Sequence, residues 1–230
     1  KIPLIEDAAH SLGTTWHGNK IGTLGDAGCF SFQSYKMLNA GEGGIFVTDN
    51  AELFAKAVIM SGAYEHNWMK HQGEHASFKK WQNKLPLYNM RINNLSAAII
   101  SAQLPELNKR IEKGRHNHDF TAERLNRSPW ICVPEKLRPE TRAPDSIQFN
   151  LIDMNSGEID LFEKITSLSG LNIQIFGRTK NNARAFWNWK FLPETFELPK
   201  TRKMLMTACD VRLPPKLSQD ECRTISDVIL

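Results

Sequence analysis

The stretch Ile2-Pro-Leu-Ile-Glu-Asp-Ala-Ala-His10 decides how this chain is read. A short apolar run ending in two acids is the pattern of a buried strand that delivers carboxylates at its carboxyl end. In open α/β sheets, ligands gather at that end. Two further strand patterns follow, Ala27-Gly-Cys-Phe-Ser-Phe32 and Gly44-Ile-Phe-Val-Thr48, each bounded by glycine or Asp/Asn turn residues. Between them lie Ser31-Phe-Gln-Ser-Tyr-Lys36 and the turn Gly41-Glu-Gly-Gly44. An acid at one strand end, a lysine beyond another and glycines that admit close backbone approach form one constellation. Taken singly, each has a plainer reading: Asp7 as a helix cap, Lys36 as a solvated lysine, the glycines as a hairpin turn.

Working outward, Ala51–Met60 reads as a helix capped by Asn50, and residues 62–90 show no period and are expected to form a long loop. Leu95, Ala98, Ile99, Ala102, Leu107, Ile111 and Phe120 recur at helical spacing, which predicts a long helical region from Asn94 to about Leu125, interrupted at Pro105 and Gly114. Strand patterns then return at Trp130–Val133, Ile147–Ile152 and 171–176, with a helix over 158–168. Ser218 with Glu221 three residues on opens a final helix that runs to Leu230. The expected organisation is therefore α/β throughout, with a boundary near residue 126 separating residues 1–125 from a smaller unit at 126–230.

Composition narrows the function classes. With 230 residues, 41% hydrophobic and 23% charged, the chain is long enough for a real core and excludes wholesale disorder. The 29 basic against 25 acidic residues leave a mild and dispersed charge of +4, so nucleic acid is not an expected partner. Four cysteines, Cys29, Cys132, Cys209 and Cys222, form no CxxC pair, which points to a reducing, cytoplasmic setting. No apolar run approaches the ~18 residues that a membrane span requires, so no membrane partner is expected. The opening Lys1-Ile-Pro carries neither an initiator Met nor a leader pattern, and the chain reads as a fragment.

Taken in order, Glu6-Asp7-Ala-Ala-His10, Gly25-Asp26, Ser31-Phe32 with Lys36 five positions after the serine, and Gly41-Glu-Gly-Gly44 resemble closely the signature of the DegT/DnrJ/EryC1/StrS family. A second segment, Tyr88-Asn-Met-Arg-Ile-Asn-Asn-Leu-Ser-Ala-Ala-Ile-Ile-Ser-Ala-Gln-Leu104, is similar to that family's N-x-R-M…AA…QL helix start. Together the matches cover most of residues 1–115. The resemblance implies a pyridoxal 5'-phosphate (PLP)-dependent transferase fold of type I. Residues 1–125 would be the later part of the large PLP-binding domain with a long connecting helix, and 126–230 a small C-terminal domain. It implies an aminotransferase that moves an amino group from an amino acid, glutamate or glutamine, to a ketosugar, usually nucleotide-linked, as in polysaccharide biosynthesis.

Residue by residue, the resemblance makes Lys36 the lysine that tethers the cofactor aldehyde and then moves the proton. Asp7 would pair with the pyridine nitrogen and favour its protonated form. Ser31 resembles a phosphate ligand, His10 the residue beside the ring, and Asn89 the group that reaches the phosphate of the neighbouring subunit's cofactor. Arg91 would be a further substrate or phosphate contact, and the site would be shared across a homodimer. In relatives that dehydrate rather than aminate, histidine replaces the tethering lysine, and this chain keeps Lys36. The family's upstream phosphate cup and stacking aromatic ring have no counterpart here, so the chain alone is expected to be an incomplete cofactor site.

Three other readings compete. A non-catalytic binding homologue would keep the fold without turnover, against which the joint presence of Asp7 and Lys36 argues. His71-Gln-Gly-Glu-His75 fits the HxxEH spacing of a zinc metallopeptidase, with His71, Glu74 and His75 as candidates, but Gly73 at its centre disfavours the helix that spacing needs, and no metal is expected. Trp68, Lys70, Lys79, Lys80 and Trp81 could stack on or neutralise a nucleotide diphosphate, or form an ordinary polar loop. The aromatic run Asn182–Lys190 is expected to pack the small domain or line a substrate mouth.

Overall fold

The computed structural model describes the chain apart from Lys1, residues 64–65, 71–74, 181 and 193–196, and the side chain of residue 75. The zinc reading of His71, Glu74 and His75 therefore lies outside the described residues. Contacts divide the chain into two compact units, residues 1–111 with 137–143, and residues 112–136 with 144–230.

The first unit opens with β1 (Ile5–Asp7), followed by the two-residue strands β2 (Thr15–Trp16) and β3 (Asn19–Lys20), then β4 (Ala27–Ser31) and β5 (Gly44–Val47). Strand β1 runs parallel to β4, with Ile5 opposite Ala27 and Asp7 opposite Cys29, and β5 returns antiparallel on the other edge of β4. Close approach makes this possible: a Cβ on Gly28 would overlap the Gly22 carbonyl oxygen, so only glycine fits there. Glu6, the less conspicuous acid of the pair, accepts the backbone N–H groups of Gly22 (2.8 Å), Leu24 (2.7 Å) and Gly25 (2.7 Å). Asp26 ties the start of the pair, accepting the Leu4 N–H at 2.9 Å while its carbonyl accepts the Thr48 hydroxyl at 2.6 Å.

Asn50 caps α1 (Ala51–Met60) by accepting from Glu52 and Leu53, as its sequence position predicts. Residues 62–90 differ from the expected loop, because they contain a short 3-10 turn at Asn67–Lys70 and a helix, α2 (His75–Trp81). Seven residues are two turns, too few to display a period; what holds α2 is packing, not propensity. Phe78 is fully buried, stacked on Trp68 (5.2 Å, 7° between planes) and edge-on to Phe54 of α1.

The predicted long helical region is two helices, α3 (Asn94–Gln103) and α4 (Leu107–Leu125), joined by a 3-10 turn that contains Pro105. Gly114, in contrast to expectation, does not interrupt α4. That helix belongs to the first unit as far as Ile111 and to the second from Glu112.

In the second unit β6 (Ile131–Cys132) precedes a two-residue strand of the first unit, β7 (Glu140–Thr141), and then β8 (Ser146–Leu151), α5 (Ser156–Leu168), β9 (Gln174–Ile175), α6 (Pro199–Leu205), β10 (Ala208–Arg212) and α7 (Gln219–Ile229) follow. Its four-stranded sheet has the order β6-β8-β10-β9, and β7 pairs instead with β2. The core of the unit is Leu125, Ile147, Phe149, Ile175, Val211 and Leu213 with their neighbours. Both α5 and α7 start in a capping box, Asn155 with Glu158 and Ser218 with Glu221. Sequence reading had not anticipated β10 or α6.

Burial pushes the Glu6 carboxyl up, but the hydrogen bonds from Gly22, Gly25 and Leu24 outweigh it and hold the group below its ordinary value. Between the folded and unfolded values the unfolded chain binds more protons, so the stability Glu6 contributes is complete above the ordinary carboxylate range and is lost as pH falls through the depressed value. Glu6→Ala, which strands three backbone donors, should cost about 1–3 kcal/mol at neutral pH and less in acid. Denaturant midpoints of both proteins across that range check this; a gap that is constant or widens toward acid would refute it.

Candidate active site

Asp7 ends β1 and Ser31 ends β4, and the parallel register brings both to the same end of adjacent strands. Alternation along a strand puts residues 29 and 31 on one face, and Asp7 is paired with Cys29, so Asp7 and Ser31 share that face. The Oδ1 atom of Asp7 accepts the Ala9 N–H at 3.1 Å, closing the turn that leads to His10. Oδ2 takes no protein donor among the described residues. Asp7 thus caps a turn rather than a helix, and one of its oxygens is available to a ligand.

Beyond β4 the chain makes an excursion that ends at the GEGG turn. Phe32 N–H donates to the Gly43 carbonyl (2.8 Å), Ala40 N–H to the Phe32 carbonyl (2.9 Å) and Ser34 N–H to the Gly41 carbonyl (3.1 Å). Gly41 and Gly43 lie at φ +82° and +144°, in the region that disfavours side chains, and a Cβ on Gly43 would lie 2.9 Å from the tip of Ile92. At the far end of the excursion Lys36 N–H closes a turn on the Gln33 carbonyl (3.0 Å). Its Nζ lies 2.6 Å from Nε2 of His10, a contact in which the amine donates when that ring nitrogen carries no proton. The lysine is half-buried, not a fully solvated surface residue. Ser31 Oγ accepts the Gln33 N–H at 3.3 Å.

Structure therefore brings together His10 and Lys36 directly, and Asp7 and Ser31 through the sheet. Asn89 and Arg91 are exposed on the segment after α2, which is held to the end of α1 by Tyr88 N–H to Met60 (2.8 Å) and Met90 N–H to Ser61 (3.1 Å). No hydrogen bond joins Asn89 to Asp7, His10, Ser31 or Lys36. Two residues to which sequence reading assigned no role also reach this region. Gln103 and Arg110 hydrogen-bond the backbone just after Lys36, 64 and 73 residues away in sequence from their partners, a distance that no local pattern reveals.

The residues fit PLP. One Asp7 oxygen takes no donor among the described residues and could face a protonated ring nitrogen, the Lys36 amine held by His10 could take an aldehyde, and the Ser31 hydroxyl, on the Asp7 face of the sheet, could meet a phosphate oxygen.

The other constellations resolve into structure. Trp68 is buried against Phe78, and Trp81 donates to Glu52 (3.2 Å) under the Lys56 ammonium (4.0 Å), while Lys80 pairs with the same Glu52. These groups tie α2 to α1. The 182–190 run braces itself, with Asn188 Nδ2 on the Asn182 carbonyl (2.9 Å), Trp189 Nε1 on the Ala183 carbonyl (2.5 Å), and the Arg202 guanidinium over Trp187. Among the described residues, no group of three or more His, Cys, Asp or Glu could hold a metal ion.

Comparison with known proteins agrees with this architecture. The chain is similar to the crystal structure of Helicobacter pylori PseC, an aminotransferase involved in the biosynthesis of pseudoaminic acid, with a TM-score of 0.82 at 17% identity over 99% of this chain and 58% of that one. It is similar also to the E coli GDP-4-keto-6-deoxy-D-mannose-3-dehydratase with bound hydrated PLP, with a TM-score of 0.80 at 22% identity over 100% of this chain and 60% of that one. The fold is thus that of the PLP-dependent transferases of fold type I. Among curated relatives, GDP-perosamine synthase of Vibrio cholerae is 38% identical over 112 residues, 49% of this chain and 28% of that protein. The 3-amino-5-hydroxybenzoate synthase of Amycolatopsis mediterranei is 35% identical over 111 residues, 48% of this chain and 26% of that protein. The chain accordingly spans little more than half the length of the solved structures it resembles. The family profile of the DegT/DnrJ/EryC1/StrS aminotransferases matches residues 1–230, and the chain belongs to that family.

Proposed function

We propose that this chain is part of a PLP-dependent aminotransferase that moves an amino group from an amino acid, glutamate or glutamine, to a ketosugar carried on a nucleotide. The observation that carries this reading is the pairing of the Lys36 amine with His10, three residues after the Asp7 carboxylate that ends β1 beside β4. The names of two relatives support the acceptor class: GDP-perosamine synthase, and a transaminase acting on a UDP-linked amino sugar in Campylobacter jejuni. The resemblance sets a histidine at this position in members that dehydrate, and Lys36 here supports amination.

When bound, PLP supplies an aldehyde that takes up the donor's amino group and a ring that accepts the electron pair released at the substrate carbon. Lys36 Nζ would be the covalent tether and, once displaced, the base that moves the proton between the substrate carbon and the carbon of the cofactor's aldehyde. His10 Nε2 directs the lysine amine. The free oxygen of Asp7 would hold the ring nitrogen protonated, and the Ser31 hydroxyl would donate to the phosphate. We read residues 1–125 as the later part of the large cofactor domain and 126–230 as the small domain.

We further infer a homodimer with a shared site. Asn89 and Arg91 stand on a segment whose Leu87, Tyr88, Met90, Leu95 and Ile99 are exposed, an apolar stretch suited to a second copy. A cytoplasmic location fits four free cysteines, and no helix among the described residues is long and apolar enough to cross a membrane.

In the natural gene product, borohydride reduction after PLP addition followed by peptide mass mapping should place the reduced cofactor on Lys36, and Lys36→Ala should abolish it. Asp7→Asn should keep binding but slow amino transfer about a hundredfold or more. An adduct on another lysine with normal turnover in Lys36→Ala would sink the assignment, and no adduct at all would favour the binding homologue.

If the site is shared, mixing inactive Lys36→Ala and Asn89→Ala proteins should restore about a quarter of the original activity, because half of the dimers are mixed and each of these holds one intact site. Mixtures as inactive as their components would rule out sharing through Asn89.

A further inference from the structure

Lys36 sits on an excursion with little ladder of its own. On its C-terminal side Met37 and Leu38 turn inward, Met37 against Ile111 and Ala143, and Leu38 against Phe32 and Ile100. These contacts anchor the loop, but apolar packing is non-directional and leaves the orientation of the intervening peptide groups open. Two polar side chains supply the direction. The Gln103 amide pairs with Asn39 as a neighbouring strand would, Oε1 accepting the Asn39 N–H at 3.3 Å and Nε2 donating to the Asn39 carbonyl at 2.6 Å. Arg110 Nη1 donates to the Met37 carbonyl at 3.2 Å and to Gln103 Oε1 at 2.8 Å.

Gln103 is held in turn. Its Nε2 also donates to the Ile99 carbonyl at 3.1 Å. Both partners of Oε1 are N–H donors and both partners of Nε2 are carbonyls, so only one orientation of the amide satisfies all four bonds. Gln103 ends α3 and Arg110 lies in the first turn of α4, the Pro105 turn between them allowing both to reach the same loop. At the other end of the side chain His10 takes the Lys36 ammonium at 2.6 Å.

We propose that Gln103 and Arg110 are positioning residues that clamp the backbone of residues 37–39 and thereby set the direction in which Lys36 presents its amine. The inference rests on the assignment of Lys36 as the tethering lysine. Removing the Gln103 amide leaves the Asn39 peptide without partners on both sides, and a loop shift of about 1 Å is enough to break the Lys36–His10 bond and misdirect the amine.

The test measures the rate at which Lys36 captures PLP in the natural gene product, by timed borohydride trapping and peptide mapping well below the unfolding temperature, beside the thermal midpoint. Gln103→Ala should slow capture at Lys36 about tenfold or more. Gln103→Glu, which keeps the acceptor toward Asn39 and Arg110, should recover part of that rate, and Arg110→Lys should fall between wild type and Gln103→Ala. Asn117→Ala serves as the control for stability alone: Asn117 is a buried amide that donates to the Leu217 carbonyl at 3.0 Å in the second unit, and its loss should lower the midpoint without slowing capture. Wild-type capture rates in both Gln103→Ala and Arg110→Lys would overturn the clamp while leaving Lys36 in its role. Equal slowing in Asn117→Ala would reduce the effect to stability and overturn it too. No capture at Lys36 in the unaltered protein would overturn the reading beneath it. Should Gln103→Ala not fold, Gln103→Glu and Arg110→Lys decide by the same criteria.

Discussion

The parallel pairing of Ile5–Asp7 with Ala27–Cys29 is the constraint on which the candidate site depends. Parallel strands need a long connection between them, and here residues 8–26 must leave the end of one strand and return to the start of the next. Glu6 gathers the last part of that connection by taking three backbone N–H groups, and the Gly22–Gly28 contact lets it lie directly on the sheet. Without that closure Asp7 and Ser31 would not emerge side by side.

Acidic neighbours in sequence thus have opposite fates. Alternation along the strand sends Glu6 to the face that the connection covers and Asp7 to the other. Glu6 spends its oxygens on the fold, while one oxygen of Asp7 takes no donor among the described residues. The same division separates Met37 and Leu38, which anchor the excursion, from Lys36, which the excursion presents. Rigid support next to a reactive group is what a site requires if its geometry is to persist without ligand.

Helix ends and strand ends were legible because their causes are local. The caps at Asn50 and Ser218 follow from side-chain oxygens placed one residue before a helical run, and Pro105 marks the break between α3 and α4 because it cannot donate. Helix α2 was not legible, since Phe78 and Trp68 stabilise it through each other and through Phe54, not through a period. Strand β10 was missed for a related reason: Ala208-Cys-Asp-Val-Arg212 is strand only because β8 and β9 pair with it on both sides. Gly114 looked like a break, yet a glycine costs a helix only about 1 kcal/mol, less than the packing that holds α4 on either side of it.

By itself the sequence determined the α/β class, because strand and turn patterns are local properties of the chain, and its motifs carried the resemblance that gave the family and grouped Asp7, His10, Ser31 and Lys36 as candidates. It also determined that the charge is mild and that no apolar run approaches the length of a membrane-spanning helix. Only the tertiary structure decided that Lys36 meets His10, that among the described residues both Glu6 oxygens but only one Asp7 oxygen take donors, and that Gln103 and Arg110 reach the backbone beside Lys36. Those are contacts between residues 26 to 73 positions apart in most cases, and a hydrogen bond at such separation depends on where packed helices and strands place their backbones, which no short window of residues encodes.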